Sequence, residues 1–417
     1  MQTSPFSDRR KFLKSAAALA LLPGLASATQ LALPEEKELI ITDIHVDIVQ
    51  VNHRGNWVFI ELQTNKGISG MGEASQGVKA ITSAEQQQIR NEINNFFAFV
   101  KGQPAFDIEA YRIKGLEAAA ASHVASTAFS GIEQALWDIK GKALGVPVYT
   151  LLGGKVHDRI RVYANINRAT NVWDAQGRRP ASAFQQNAEQ ALKLGFRAIK
   201  LAPFDDMKAL PSTPQQIQAD VDHAISCIEA VRQTIGNDVD LLVDVHSHLD
   251  QALGIEVAQR LAPLCLYWLE EAVNPSKYLA ETKAITATTD TPIAGGESIF
   301  GRQGFLPLIN NQALDILMPD VKHCGGIQEL RYIAALAEPS GIHIAPHNPS
   351  GPVATAATTQ AVASIPNFSV IELAYGEVEW RADLLQPAET FQQGYIELSG
   401  LPGLGHTLNK SLIAKHR

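Results

Sequence analysis

Val239-Asp-Leu-Leu-Val-Asp244, Leu266-Tyr-Trp-Leu-Glu270 and Pro292-Ile-Ala-Gly-Gly-Glu297 are short apolar runs, each closed by a carboxylate, with stretches at helical spacing between them. The same unit recurs on either side. Arg161-Val-Tyr-Ala-Asn165 and Arg197-Ala-Ile-Lys200 precede the three, and Leu314-Asp-Ile-Leu-Met-Pro-Asp320, Ile342-His-Ile-Ala-Pro-His347 and Phe368-Ser-Val-Ile-Glu372 follow them. Short β-rich runs alternating with amphipathic helices are the signature of repeated βα units. Eight such units after Gly153-Gly154 predict a closed parallel barrel, whose chemistry lies at the C-terminal ends of its strands. An open doubly wound sheet is the competing reading, but no Gly-x-Gly-x-x-Gly turn follows an early strand. Nearly every run ends in a polar or ionisable residue, as a barrel rim requires.

Upstream, Ile40-Ile-Thr-Asp-Ile-His-Val-Asp-Ile-Val-Gln-Val51 and Trp57-Val-Phe-Ile-Glu-Leu-Gln63 alternate with period two, and turn residues at 52–56 and 65–67 punctuate them. They predict a small antiparallel meander over Leu39–Glu73, followed by helices from about Ser83 to Leu152. An α+β unit over 38–155 thus precedes a barrel over 156–385, and a segment over 386–417 completes the chain. The 417 residues are 46% hydrophobic and 19% charged, an ordinary globular composition that excludes disorder and coiled coil. A formal charge of -8 argues against nucleic acid or anionic lipid as partner and leaves a small molecule as the default. Cys227, Cys265 and Cys324 show no CxxC spacing and are read as buried structural thiols.

Residues 8–14, Asp-Arg-Arg-Lys-Phe-Leu-Lys, precede an apolar run to Ala26 and the small-residue pattern Ala26-Ser27-Ala28. This reads as a twin-arginine signal peptide over 1–28, hence a periplasmic protein exported already folded. The run is interrupted by Pro23 and falls short of the ~20 apolar residues a bilayer core needs, so no membrane association is expected after cleavage. Removing four basic residues and one acid brings the charge near -11.

Asp244, Glu270 and Glu297 close three successive predicted strands and so converge within reach of one ion. Hard carboxylate oxygens suit Mg2+. Glu270 and Glu271 point to opposite faces of a strand; Glu270 is the chosen ligand and Glu271 the weaker candidate. His347 and Asp320 end neighbouring runs, where a hydrogen-bonded pair makes a poised base. His246, two residues beyond Asp244 and on the same side of its strand, is placed to protonate a leaving hydroxyl. His343 lies away from the rim and reads as structural. His248 and His323 read as solvent-exposed loop residues.

Together with Ser130-Gly-Ile-Glu-Gln-Ala-Leu-Trp-Asp-Ile-Lys-Gly-Lys-Ala-Leu-Gly-Val-Pro147, Leu151-Leu-Gly-Gly154, Leu269-Glu-Glu271, Gly295-Gly-Glu297, Pro319-Asp-Val-Lys-His-Cys-Gly-Gly326 and His347-Asn-Pro-Ser-Gly-Pro352, the chain from Leu39 onward resembles the enolase superfamily, mandelate racemase/muconate lactonizing enzyme family. The resemblance implies a modified (β/α)7β TIM barrel under an α+β capping domain to which the last residues return. It also implies Mg2+ on Asp244, Glu270 and Glu297, and removal of the proton alpha to a carboxylate to give a metal-stabilised enediolate. Lys200-Leu-Ala202 has alanine where racemases of this group carry a second lysine, which argues against two-base racemisation. Asp244-Val-His246 is similar to galactonate-type acid sugar dehydratases, with His246 as general acid, His347 and Asp320 taking the C2 proton, Glu372 bonding the enediolate and Lys200 on the substrate carboxylate. Ala272 departs from the proline usual after the paired glutamates and bears on loop shape. Asn52, His53, Arg54 and Trp57 resemble specificity loops of the cap, as does Glu73-Ala-Ser75; with Asn165 the first four are the expected substrate contacts. The leading expectation is a hydro-lyase giving a 2-keto-3-deoxy sugar acid. A cycloisomerase or epimerase using the same enediolate is the alternative, and a non-catalytic sugar-acid binding protein the third reading. The family resemblance further implies a homo-oligomer, dimer or octamer.

Overall fold

The computed structural model describes residues 38–207 and 212–417; the signal peptide expected over 1–28 lies outside them. Each of the eight runs contributes a strand: β4 Arg159–Asn165, β5 Ala198–Leu201, β6 Asp240–Asp244, β7 Trp268–Glu270, β8 Ile293–Gly295, β9 Ile316–Leu317, β10 His343–Ile344 and β11 Ile371–Ala374. Neighbours pair in parallel from β4 through β10. The ring closes where β11 pairs with β4 and a parallel bridge joins Ile344 to Phe368. The helices between successive strands are α5 Ala181–Lys193, α6 Pro214–Ile235, α7 Gln251–Leu261, α8 Leu279–Thr286, α9 Gly301–Asn310, α10 Ile327–Ala337 and α11 Pro352–Val362. The architecture is therefore (β/α)7β.

The barrel interior is plugged by one layer of side chains: Tyr163, Ala198, Leu242, Trp268, Ala294, Ile316, Met318, Ala345 and Val370. Strand residues of opposite parity, such as Leu241, Val243 and Leu269, belong instead to the larger core outside the ring. This is the alternation a pleated strand imposes. Two residues beyond a plug residue, the next inward side chain stands on the rim.

Ahead of the barrel, β1 Ile41–Asn52, β2 Gly55–Thr64 and β3 Ser69–Glu73 form an antiparallel sheet. Helices α1 Ser83–Phe97, α2 Ile108–Ala119, α3 His123–Leu144 and α4 Val148–Leu151 follow. Helix α3 starts on the Ser122 hydroxyl, which accepts from Ala125 N, and ends at Gly145 with φ 68°. It is buried on nearly all sides, so its polar residues act as ties rather than as a solvated face. Asp138 accepts from Met71 N at 2.8 Å, and Glu133 accepts from Ile327 N and Gln328 N, at the start of α10, at 2.7 and 2.9 Å. The C-terminal strands β12 Leu385–Gln386 and β15 Thr407–Leu408 pair with each other, while β13 Phe391–Gln392 and β14 Tyr395–Glu397 form a hairpin on β4. The last helix, α12 Lys410–Lys415, leads back to the sheet: His416 O accepts from Gln50 N at 2.6 Å and Arg417 pairs with Asp47.

One expectation needs correction here. Cys227 and Cys324 are buried, but Cys265 is exposed, because it sits in a left-handed turn (φ 49°) that ends a helical stretch before β7.

The sheet can approach α3 only because glycines face each other. A Cβ on Gly72 would lie 1.9 Å from Gly131 O. Gly72→Ala should therefore push β3 off α3 and lower stability by about 3 kcal/mol, the upper range for overpacking a rigid contact. Urea unfolding of the two proteins measures it; an unchanged midpoint would mean that the sheet slides freely over the helix.

Candidate active site

Five rim side chains stand two residues beyond plug residues on their strands: Asn165 above Tyr163, Lys200 above Ala198, Asp244 above Leu242, Glu270 above Trp268 and Glu372 above Val370. Asp320 and His347 stand two residues beyond Met318 and Ala345, just past β9 and β10. Glu297 is three beyond Ala294 and would point outward on a regular strand. Gly296, with φ 106°, turns the chain so that it points in.

Asp244, Glu270 and Glu297 bring one oxygen each to within 4.8 Å of one another. Asp244 and Glu270 are fully buried, and the Lys200 ammonium lies 3.1 Å from Asp244, 3.0 Å from Glu270 and 3.6 Å from Glu372. Glu297 Oε2 is buried without a hydrogen-bond partner; His347 Nε2 is 3.2 Å away but off the line a hydrogen bond needs. An orphaned carboxylate oxygen beside two more carboxylates fits a hard divalent cation. Glu271 points the other way: it accepts from Gly296 N at 2.9 Å and from the Ser247 hydroxyl at 3.2 Å, and its carboxyl is pushed up to about 7 by burial and by Glu297. It is not part of the cluster.

His347 Nδ1 meets Asp320 Oδ2 at 2.7 Å. The same oxygen takes the Lys322 ammonium at 2.5 Å, and Lys322 N donates to Oδ1 at 2.7 Å. Burial alone would raise the Asp320 carboxyl, but Lys322, His323 and His347 outweigh it and hold Asp320 ionised. Burial likewise works against a charged His347, and Glu297, Asp320 and Glu372 more than offset it, so its basicity is raised.

His246 reaches the rim by a route the strand geometry did not suggest. Strand β6 ends at Asp244, and His246 and Ser247 both take left-handed backbone conformations (φ 48° and 61°). The ring folds back so that Nε2 lies 3.0 Å from Asp244 and Nδ1 2.5 Å from Asp205. Desolvation works against a charged ring, but these two carboxylates outweigh it and raise its basicity above the ordinary histidine range, although the side chain stays open to the cavity.

Glu372 accepts from Asn165 Nδ2 at 2.5 Å and from Asn348 N at 3.1 Å. Burial opposes its ionisation, but Lys200 and His347 prevail and hold its carboxyl below the ordinary range. In this arrangement it accepts from both asparagines and lies 3.6 Å from the Lys200 ammonium.

The cavity above this floor is lined by Arg54, Asn165, Lys200, His246, His347 and Glu372 among others. Several expectations fail. His323 is not solvent-exposed: it is 3% exposed, bonds the Thr127 hydroxyl at 2.8 Å and packs on the His123 ring at 4.2 Å, because α3 covers its loop. His343 is exposed at the opposite end of the barrel rather than structural, whereas His248 is exposed at the rim as expected. Trp57 is only 4% exposed and packs edge-on against Trp380 at 5.6 Å, so it belongs chiefly to the cap core. Asn52 bonds Glu377 at 3.3 Å and caps its own turn through Arg54 N, and His53 sits exposed at the turn's tip. Glu73 is fully buried and accepts from Gly351 N and Ala354 N, both at 2.8 Å, at the start of α11. It ties sheet to barrel rather than contacting substrate. Sequence reasoning missed Asp205, Asn167, Arg168 and His123, all at the cavity or bonded to residues there. Asn167-Arg168 and Asp205 follow the first two barrel runs closely, a rim position that could have marked them.

A capped (β/α)7β barrel carrying three carboxylates and a His–Asp pair on its rim is the architecture of the enolase superfamily. Two family models match the chain: Mandelate racemase / muconate lactonizing enzyme, N-terminal domain, over 38–153, and Enolase C-terminal domain-like over 183–412. The chain belongs to the mandelate racemase/muconate lactonizing enzyme family. It is 32% identical over 389 residues to a D-xylonate dehydratase of Haloferax volcanii, covering 90% of this chain and 88% of that one. It is 31% identical over 373 residues to a D-galactonate dehydratase of Xanthomonas campestris pv. campestris, covering 86% and 90%. Among solved structures, a mandelate racemase/muconate lactonizing enzyme-like protein of Rubrobacter xylanophilus superimposes with a TM-score of 0.81 at 30% identity, covering 91% of this chain and 98% of that one.

The Lys200 ammonium lies against three buried carboxylates, Asp244, Glu270 and Glu372, so Lys200→Met should leave the cluster undercompensated and lower stability by about 3 kcal/mol or more. Urea unfolding in the presence of a chelator tests this; a variant as stable as the parent would show that the carboxylates neutralise themselves by taking up protons.

Proposed function

We propose that this protein is a Mg2+-dependent dehydratase of a sugar acid, releasing water and a 2-keto-3-deoxy acid. The carrying observation is that His347 and His246 follow diametrically opposed strands, β10 and β6, on the same rim as the three-carboxylate cluster. The relatives' names, dehydratases of D-xylonate and D-galactonate, agree with this reading.

Mg2+ held by Asp244, Glu270 and Glu297 would supply positive charge to the substrate carboxylate, whose α-proton is otherwise far too weakly acidic for a histidine to remove. His347 Nε2 faces the cavity and takes the C2 proton, while Asp320, fixed by Lys322, holds Nδ1 and stabilises the imidazolium that forms. The electron pair left at C2 expels the C3 hydroxyl, which takes a proton from His246 and departs as water. The enol so formed tautomerises to the 2-keto-3-deoxy acid. Asp205, 2.5 Å from His246 Nδ1, favours the protonated ring, the form an acid needs before the step begins. Lys200 adds positive charge at the floor of the site, where the carboxylate end of the substrate would lie, and Glu372 positions Lys200 and His347 rather than donating a proton.

Two expected outcomes separate the roles. His347→Asn should lower kcat by about 10³-fold or more with substrate binding retained, and EDTA should abolish turnover of the parent until Mg2+ is restored. His246→Asn should stop water loss yet still exchange the C2 proton with D2O, as proton NMR would show. Dehydration at the parental rate in either variant would remove that residue from the mechanism.

A further inference from the structure

Past the catalytic rim the cavity continues beneath the β1–β2 turn into a second chamber of similar size, about 350 Å³ against 270 Å³. Arg54, Gln76, Arg168 and Pro349 border both, and Lys79 and Glu377 border the second. On the dehydratase reading, the reacting end of a sugar acid lies in the first chamber and its far end points toward this one.

The charges along the passage do not cancel. Glu377 takes Arg168 Nη1 at 2.5 Å. Asp205 takes His246 at 2.5 Å, and Asp206 takes Arg179 Nε at 2.9 Å. Each acid has its cation, and Arg54 is left over: among the described residues its guanidinium has no ion pair and no hydrogen bond, although it is partly buried, with Arg168 and Arg179 acting against its charge and Asp205 and Glu377 favouring it from beyond contact distance. Lys79, exposed at the chamber mouth, adds a further positive charge. A half-desolvated guanidinium with no direct partner is completed by an anion in contact with it, and its planar fork matches carboxylate or phosphate. The neutral hydroxymethyl end of an aldonic acid supplies no such partner.

We propose that the substrate carries a second anionic group at the end remote from the carboxylate cluster, and that Arg54 selects it. The reacting half of this substrate rests on the dehydratase reading; the terminal anion rests on the unpartnered Arg54.

The test measures binding apart from turnover. Calorimetry on the full-length His347→Asn protein with Mg2+ compares aldonic acids with the aldaric acids and the terminally phosphorylated aldonic acids of the same configuration, over a panel of C2 and C3 epimers. Anion-terminated members should bind roughly tenfold or more tightly than their neutral-ended counterparts, and Arg54→Gln in the same background should bring that ratio near one, with Arg54→Lys keeping part of it. A carboxylate advantage without a phosphate advantage identifies a diacid, and the reverse a phosphorylated acid. Equal binding of charged and neutral ends, a ratio unmoved by Arg54→Gln, or no binding of any anion-terminated acid would overturn the proposal. Turnover is assayed separately on the unsubstituted chain: absence of 2-keto-3-deoxy product from acids that still show the Arg54-dependent preference would refute the dehydratase reading and leave the terminal-anion subsite standing.

Discussion

The site depends on the pleat of eight short parallel strands. Because side chains alternate, the layer that plugs the barrel fixes which residues can face the mouth, and those lie two positions further along each strand. Leu242 below Asp244 and Trp268 below Glu270 do more than fill space. The Trp268 indole donates to Glu270 Oε2 at 3.0 Å, so the plug orients one acid of the three-carboxylate cluster directly. A one-residue slip of a strand would exchange plug for outer core and turn its rim residue toward the helices.

Placing so many ionisable groups on one buried floor is costly unless their charges are balanced locally. Lys200 spans Asp244, Glu270 and Glu372, Lys322 stands against Asp320, and Asp205 and Asp244 clamp His246. The balance is incomplete at the cluster itself. Burial and the Asp244 charge push the Glu270 carboxyl well above its ordinary range, and Lys200 offsets this only in part. A divalent cation among these oxygens would relieve the same repulsion, which is why the arrangement suits one physically and not only by analogy with relatives.

The barrel and its rim acids were legible in the sequence because they depend on local pattern: an apolar run, its parity and its terminal residue. What was not legible depends on backbone departures or on distant partners. His246 was placed on a strand side, whereas two successive left-handed residues bring it back onto Asp244. His323 looked like a loop residue, and only the crossing of α3, almost two hundred positions away in the chain, buries it against Thr127. Glu73 and Trp57 sit in stretches that resemble specificity loops, yet one anchors the start of α11 and the other packs on Trp380. No period or motif within those stretches distinguishes a tie from a substrate contact.

Those ties explain how recognition and chemistry are kept in register though they come from different parts of the chain. The proposed acid and base, His246 and His347, follow barrel strands, while Arg54 belongs to the β1–β2 turn. Glu73, at the end of β3, accepts from Gly351 N and Ala354 N. Ser350, next to Gly351, takes the Lys322 ammonium at 2.5 Å, and Lys322 holds Asp320 against His347. From the sheet to the base the connection is thus a short series of buried, charge-assisted contacts, which tolerate displacement poorly. Loosening Glu73 would move the turn that carries Arg54 and the support of His347 together, so in the proposed reaction one anchor positions both the recognised end of the substrate and the carbon to be deprotonated.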